Sequence, residues 1–345
     1  MSANAVSASS VFPLLIGIPD SGQAAVRVGP DGAISHVLLG NARIATDLAP
    51  AVKGRMLRVM FGPGAPIRVP PALRVRPHVN AVADADMSRI ALQMLEQYLA
   101  ENGAACFNHP AAVLGTARER VAEKLAGLDG LQVPRSIRLR LEEPADLARA
   151  VKKHALSWPL IVRRAGAHRG ESTVRIDGPQ QAKEALRGLA WGGHDLYLTE
   201  YVDSRDADGR FRKLRLVVVG GEVFMRHRVV ASEWMVHAGD RDVRAVQEEA
   251  RLLATFQAAM LPELSERLRA LADAIDLDYF GIDCNLRPDG RLLIYEVNAL
   301  MDILINTMPG PNCWDEPIRQ IRDALGALIV DPARWRHPQR EAAAA

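Results

Sequence analysis

The sequence predicts an α/β protein, in which an N-terminal α/β domain is followed by a second region of α+β lobes. Three observations carry this. The chain has 345 residues, enough for about two domains at roughly 150 residues each. Up to about residue 112, short apolar strands alternate with helical segments, the signature of an α/β unit. Beyond it lie two strand pairs with turn signals between them, at Gly220-Gly221 and at Arg287-Pro288-Asp289-Gly290, and these read as antiparallel hairpins.

The elements follow in order. Residues 1–10 read as disordered. Val11–Ile18 is a buried strand closed by the turn Pro19-Asp20-Ser21-Gly22, and Leu57–Phe61 is a second short strand. Ala85–Ala100 carries apolar residues at helical spacing and ends at Asn102-Gly103, a good C-cap. Thr116–Gly127 and Glu142–Ala155 are helical, the second with Pro144 and acids in its first turn, which suits the macrodipole. Pro159–Val162, Thr173–Ile176 and Leu196–Val202 are strands, with a glycine-containing loop at Gly166–Gly170 and a helix at Pro179–Leu189. The first hairpin joins Leu214–Val219 to Glu222–Val230. A helical stretch, Val243–Ile275, is broken near Pro262. The second hairpin joins Leu277–Asn285 to Arg291–Val297, and a last helix covers Glu316–Leu328. The tail from Arg334 reads as frayed.

Composition narrows the function classes. Apolar residues make up 48% and charged residues 24%, ordinary for a globular chain. The 43 Lys and Arg nearly balance 41 Asp and Glu, for a net charge of +2, so a bulk basic field for nucleic acid is not indicated. No apolar run approaches a membrane span, and Val11–Ile18 lacks the basic start of a signal peptide. Three cysteines at unrelated spacings, Cys106, Cys284 and Cys313, give neither a disulfide framework nor a metal motif and read as buried hydrophobes. A reducing cytoplasm is the expected compartment. Only six of the basic residues are lysine, leaving 37 arginines, so chemistry usually done by lysine falls to arginine here.

The second hairpin carries the strongest chemical signal. Its strands read Tyr279-Phe280-Gly281-Ile282-Asp283-Cys284-Asn285 and Leu293-Ile294-Tyr295-Glu296-Val297-Asn298-Ala299. Alternation puts Glu296 and Asn298 on one face, with Asp283 as the acid of the neighbouring strand. Two carboxylates and an amide oxygen form a hard-oxygen set that suits Mg²⁺ shared with phosphates and water. Asp and Asn are depleted in strands, so their place here needs a reason. A surface hairpin with solvated acids is the alternative from these residues alone.

This hairpin resembles the magnesium motif of the ATP-grasp superfamily, within it the carboxylate–amine ligases of the glutathione synthetase, D-alanine–D-alanine ligase and ribosomal-protein glutamate ligase kind. The resemblance covers roughly Asn108 to Ile305. It implies an N-terminal domain over 11–112, a small ATP-grasp lobe with a phosphate flap over 113–202, a large lobe with the metal site over 203–333, and a disordered tail over 334–345. Asp283, Glu296 and Asn298 match the metal ligands. Leu198-Thr199-Glu200-Tyr201-Val202 is similar to the strand that meets adenine, with Thr199, Glu200, Tyr201 and Val202 as the contacts. The ribose acid is Asp203, Asp206 or Asp208, with Asp206 taken as the representative. Arg163 stands where the family usually has a flap-strand lysine. In Arg118-Glu119-Arg120, Arg120 stands for the other phosphate lysine, with Lys124 as its alternative.

On the first hairpin the resemblance implies a basic residue that stabilises the acyl phosphate and the oxyanion. Arg228 or Arg226 takes this role, and Lys213 or Arg215 a phosphate or strand-pairing role. A subgroup of bacterial ATP-grasp proteins carries a His…Ser…Trp…His pattern after this strand, matched by His227, Ser232, Trp234 and His237 as substrate contacts. The implied cofactors are ATP and Mg²⁺, with Mn²⁺ as an alternative ion. The implied partners are small-molecule or peptide carboxylates and amines, with no nucleic acid or membrane, and a homodimer is common in similar ligases. The implied reaction is ADP-forming amide ligation through an acyl phosphate. A regulatory nucleotide-binding module without turnover, or an ATP-grasp enzyme with a non-amine acceptor, is the alternative.

Overall fold

The computed structural model describes residues 11–338, except 30, 45–47, 49–51, 53, 65–68, 169, 237–241, 302, 307 and 309. The expected disordered start, 1–10, lies outside the described residues.

The first part of the chain forms β1 (Phe12–Gly17), β2 (Ala25–Val28), β3 (Ile34–Val37), β4 (Met56–Phe61), α1 (Pro71–Arg74), β5 (His78–Asn80), α2 (Arg89–Asn102) and β6 (Cys106–Phe107). Strands β4-β1-β5-β6 make one parallel sheet. β1 lies inside it, which is why Phe12, Leu14 and Leu15 are apolar on both faces. Helix α2 buries Ala91, Leu92, Leu95, Tyr98 and Leu99 at helical spacing. It starts at Arg89, four residues after the expected Ala85. The reason is local: Asp84 Oδ1 accepts the N–H groups of Asp86 and Met87 at 2.8 and 3.0 Å, turning the chain first. Asp20 then accepts the first free N–H groups of the helix, from Arg89 and Ile90. Gly103, at φ 64°, closes it in the left-handed conformation. The hairpin β2–β3 and the short β5 and β6 carry too few residues for a periodic signal.

Next come α3 (Pro110–Leu114), α4 (Arg118–Leu125), β7 (Leu131–Gln132), β8 (Ser136–Leu139), α5 (Asp146–Lys153), β9 (Leu160–Arg164), β10 (Thr173–Ile176), α6 (Ala182–Arg187) and β11 (Leu196–Glu200). Strands β10-β9-β11-β8 form an antiparallel sheet. Leu147 and Val151 of α5 and Leu186 of α6 pack on it against Leu160, Val162, Leu196 and Leu198.

The last part forms β12 (Phe211–Val219), β13 (Glu222–Ala231), α7 (Val243–Thr255), α8 (Leu261–Ile275), β14 (Tyr279–Leu286), β15 (Leu292–Asn298) and α9 (Asp315–Ile329). Its sheet runs β13-β12-β14-β15-β7, so β7, which comes just before the antiparallel sheet of β8 to β11 (the flap sheet), belongs to the larger one and pairs in parallel with β15. The expected break near Pro262 is a five-residue π segment, Phe256–Met260, that separates α7 from α8. Proline has no N–H to donate to the preceding turn.

The tail corrects an expectation. Trp335 is buried against Phe12 and Phe107. Arg336 N–H donates to the buried Asp278 carboxylate, and His337 C=O accepts from Cys106 N–H. The chain from Arg334 through Pro338 therefore ties the large sheet to the N-terminal domain, with an aromatic residue supplying the burial that a polar tail lacks. Residues 339–345 lie outside the described residues. Among the described residues, no helix is long and apolar enough to cross a membrane.

Candidate active site

The site is a row of side chains across the large sheet. Arg215 on β12 lies directly opposite His227 on β13 and Asp283 on β14, and Asp283 lies opposite Glu296 on β15. Directly paired residues project to the same face, so His227, Arg215, Asp283 and Glu296 stand side by side on four neighbouring strands. Asn298 is two residues along β15 on this face, and its Nδ2 donates to Glu296 Oε1 at 2.8 Å.

The two acids sit in different surroundings. Asp283 is almost fully buried. Arg215 donates to both its oxygens, at 2.7 and 2.8 Å, and Lys213 Nζ lies 3.3 Å from Oδ2. Burial alone favours the neutral acid. Arg215, and after it Lys213 and His227, reverse this and hold the carboxyl well below the ordinary aspartate range. Glu296 is more open, with 28% of its side chain exposed, and Arg118 Nη2 meets its Oε1 at 2.8 Å. Burial again favours the neutral form, and Arg118 and Arg163 overcome it.

Arg163 projects from β9 of the flap sheet and donates to Ala167 C=O in the flap turn. Burial, and then the neighbouring Arg118, lower its pKa to about 10. A half-buried cation beside another cation is costly unless an anion joins them. Glu296 supplies one such charge. Four cations (Arg118, Arg163, Lys213 and Arg215) surround two carboxylates, an excess of positive charge that suits phosphate oxygens.

The donor set fits a hard divalent ion in kind: two carboxylates and an amide oxygen. The contacts of Glu296 with Arg118 and Asn298 both fall on Oε1. Both oxygens of Asp283 are paired with cations, and Asn298 Oδ1 accepts from Leu300 N–H at 2.9 Å. Among the described residues no cluster of three His, Cys, Asp or Glu side chains forms. An ion here would therefore take much of its shell from phosphate and water.

Several expected residues take other places. Arg120 is exposed on α4, while Arg118 reaches Glu296 and also donates to Tyr295 C=O. Helix phase explains this. The buried residues of α4 are Val121 and Leu125, and Arg118, three before Val121, shares their side of the helix. Lys124 has Asp276 and Arg120 as its charged neighbours.

Arg226 and Arg228 are also corrected. Arg228 turns to α7, where its Nη2 meets Glu248 at 3.2 Å. Arg226 is buried and donates to Ile303 and Ile305 C=O, at 2.8 Å each. The β-bulge between Arg215 and Leu216 leaves Arg226 outside the paired register. The residue between them, His227, is the one on the site face. Lys213 remains beside Asp283, as a cation of the same face.

At the hinge end, Thr199 Oγ1 pairs with Ser136 Oγ at 2.8 Å. Glu200 spends its carboxylate on Ser157 N–H and its own N–H on Arg135 C=O. Tyr201 N–H donates to Pro159 C=O, and Val202 follows at the strand end. Asp206 pairs with Arg212 Nη1 at 2.6 Å, Asp208 with the same guanidinium, and Asp203 with Arg205. Trp234 meets the Tyr201 ring edge-on at 6.2 Å, so it lies at the hinge. Ser232 is exposed and His237 lies outside the described residues.

Sequence reasoning missed Arg138, Asp84, Asp86 and His168, which link the flap to its neighbours. Arg138 had a signal: in Ser136-Ile137-Arg138-Leu139-Arg140-Leu141 polar and apolar residues alternate, a strand pattern.

An antiparallel flap-bearing sheet facing a larger sheet with this acid–cation row defines an ATP-grasp fold. Residues 123–308 match the RimK-like ATP-grasp domain family, and the chain belongs to that family of ATP-dependent ligases, which generally use ATP with Mg²⁺. A comparison with curated proteins finds no match. Three solved structures share the fold. VanG D-Ala:D-Ser ligase from Enterococcus faecalis is 10% identical, over 92% of this chain and 98% of that one, with a TM-score of 0.52. Carboxyaminoimidazole ribonucleotide synthase from Aspergillus clavatus, complexed with ATP, is 16% identical over 91% and 78%, at 0.51. A RimK domain ATP-grasp protein from Sphaerobacter thermophilus is 15% identical over 93% and 98%, at 0.50.

Proposed function

We propose that this chain is an ADP-forming carboxylate–amine ligase, acting on amino acids or small peptides in the cytoplasm. The single observation that carries the reading is the row His227–Arg215–Asp283–Glu296, flanked by Arg118 and Arg163. Thr199 to Val202 hold the adenine and Asp206 the ribose. Arg163 and Arg118, in place of Arg120, hold the phosphates. Asp283, Glu296 and Asn298 would hold Mg²⁺, which when bound supplies charge neutralisation on the transferring phosphoryl group.

The substrate carboxylate attacks the γ-phosphorus, giving an acyl phosphate and ADP. The amine then attacks the activated carbonyl, a proton leaves the nitrogen, and phosphate departs as the amide forms. Arg215 and Lys213 are the cations that stabilise the anionic oxygens on this face. Arg226 acts at one remove, by fixing the backbone of the 303–305 loop. The flap excludes water from an intermediate that hydrolyses readily.

The test is ADP release from Mg·ATP with pools of amino acids, di-acids and peptides. Release that rises with one carboxylate–amine pair supports the ligase, and mass spectrometry of the product identifies the pair. Tight nucleotide binding with no ADP from any acceptor would sink it.

The corrected phosphate cation has its own test. Arg118→Ala is expected to weaken Mg·ATP roughly 10- to 100-fold, the worth of one charge-assisted contact, while Arg120→Ala leaves it unchanged. Calorimetric titration of both variants measures this; the reverse ranking restores Arg120.

A further inference from the structure

We propose that Asp84 and Asp86 of the N-terminal domain are positioning residues for the phosphate flap, holding the β9–β10 turn closed through His168 and the Gly166 backbone. The proposal rests on the nucleotide reading for what the flap covers, but the latch is a property of the chain itself.

Asp84 follows β5 at the carboxyl ends of the parallel strands, where open α/β sheets bind their ligands. It is 6% exposed. One oxygen is spent on the Asp86 and Met87 N–H groups, which fixes the loop, and the other meets His168 Nε2 of the flap at 2.7 Å. A buried carboxylate is expensive to leave without a cation, so opening the flap strands Asp84. The hydrogen bond that the imidazole donates to Asp84 in turn favours its charged form.

The second acid repeats the connection. Asp86 Oδ2 accepts Gly166 N–H at 3.2 Å. Gly166 has φ 72°, and a Cβ there would stand 3.1 Å from Met87 Cγ, so the approach requires glycine. Asp86 Oδ1 accepts from Tyr197 OH at 2.7 Å and pairs with Arg138. Arg138 Nε continues to Glu119 at 3.0 Å, next to Arg118 on α4. One contact path therefore runs from the N-terminal loop, through the flap sheet, to the helix that meets Glu296.

The test compares wild type, His168→Ala, His168→Lys, Asp84→Asn and the Asp84→Asn/His168→Ala double variant as full chains. Hydrogen exchange without nucleotide reads the β9–β10 turn, and calorimetry reads Mg·ATP. Loss of the latch should speed exchange at the turn about tenfold, with exchange in the rest of the flap sheet unchanged. Mg·ATP should weaken about fivefold, because fewer molecules are closed before binding. His168→Lys keeps a cation and should restore protection. The double variant should add nothing to the single ones. If Asp84→Asn fails to fold, His168→Ala decides alone. Wild-type exchange at the turn in His168→Ala overturns the latch. A wild type that binds no Mg·ATP overturns the nucleotide reading, while exchange still decides the latch.

Discussion

Glu296→Gln is expected to lower ATP turnover by about 10³-fold or more, the scale for losing a group that organises charge in phosphoryl transfer. The binding signature is more specific. Glu296 carries the charge that Arg118 and Arg163 both neighbour. The glutamine removes one negative charge from a site already rich in cations. Metal-free ATP should therefore bind as tightly as before or tighter, while the gain from added Mg²⁺ disappears. Nucleotide titrations with and without Mg²⁺ read both effects, alongside ADP release. The fold should hold, because Glu296 is partly exposed and outside the apolar core. An unchanged Mg²⁺ dependence would remove Glu296 from the metal set.

Asp283→Asn should act on stability first. The carboxylate is buried with Arg215 on both oxygens and Lys213 beside it. The amide keeps the shape and removes the charge, leaving two cations with no counter-ion. Breaking a buried pair in this way costs about 3–5 kcal/mol, read as a lower urea midpoint. The pH dependence has a definite sign. The folded carboxyl lies below its unfolded value of about 3.9. Its contribution is complete above that pH and is lost as pH falls through the folded value. The wild type should therefore lose stability on acidification below about pH 4 more steeply than Asp283→Asn. Parallel acid-unfolding curves would remove Asp283 from the account.

The two acids show what was legible. Both lie in apolar strands, where period-2 alternation, a turn signal and an out-of-place Asp suffice to pair them. The structure puts them directly opposite one another. The strand Leu196–Glu200 was legible from its apolar run, as was the hairpin that carries Lys213 from its turn signal. The choice of the α4 arginine that meets Glu296 was not. Arg118 and Arg120 are two residues apart on a helix, and each residue turns the side chain by about 100°, so the choice depends on which side of α4 packs. The burial of Val121 and Leu125 decides it.

Arg226 and Arg228 were set apart from His227 correctly by alternation, but alternation does not say which face meets the site. Pairing with Arg215 and the bulge at Arg215/Leu216 make that choice. The flap latch was beyond reach for a further reason: Asp84 and His168 are 84 residues apart, and Asp84 lies outside every motif.

The sequence by itself determined the α/β class, the hairpin that carries Asp283, Glu296 and Asn298, and the abundance of arginine over lysine. These depend on local order, on periods of two and 3.6 and on turn residues. Only the tertiary structure decided which arginines meet the acids, that His227 rather than Arg226 or Arg228 faces them, that Trp335 anchors the tail, and that the N-terminal domain grips the flap. Each depends on which face of an element is buried and what packs against it, and long-range packing sets that.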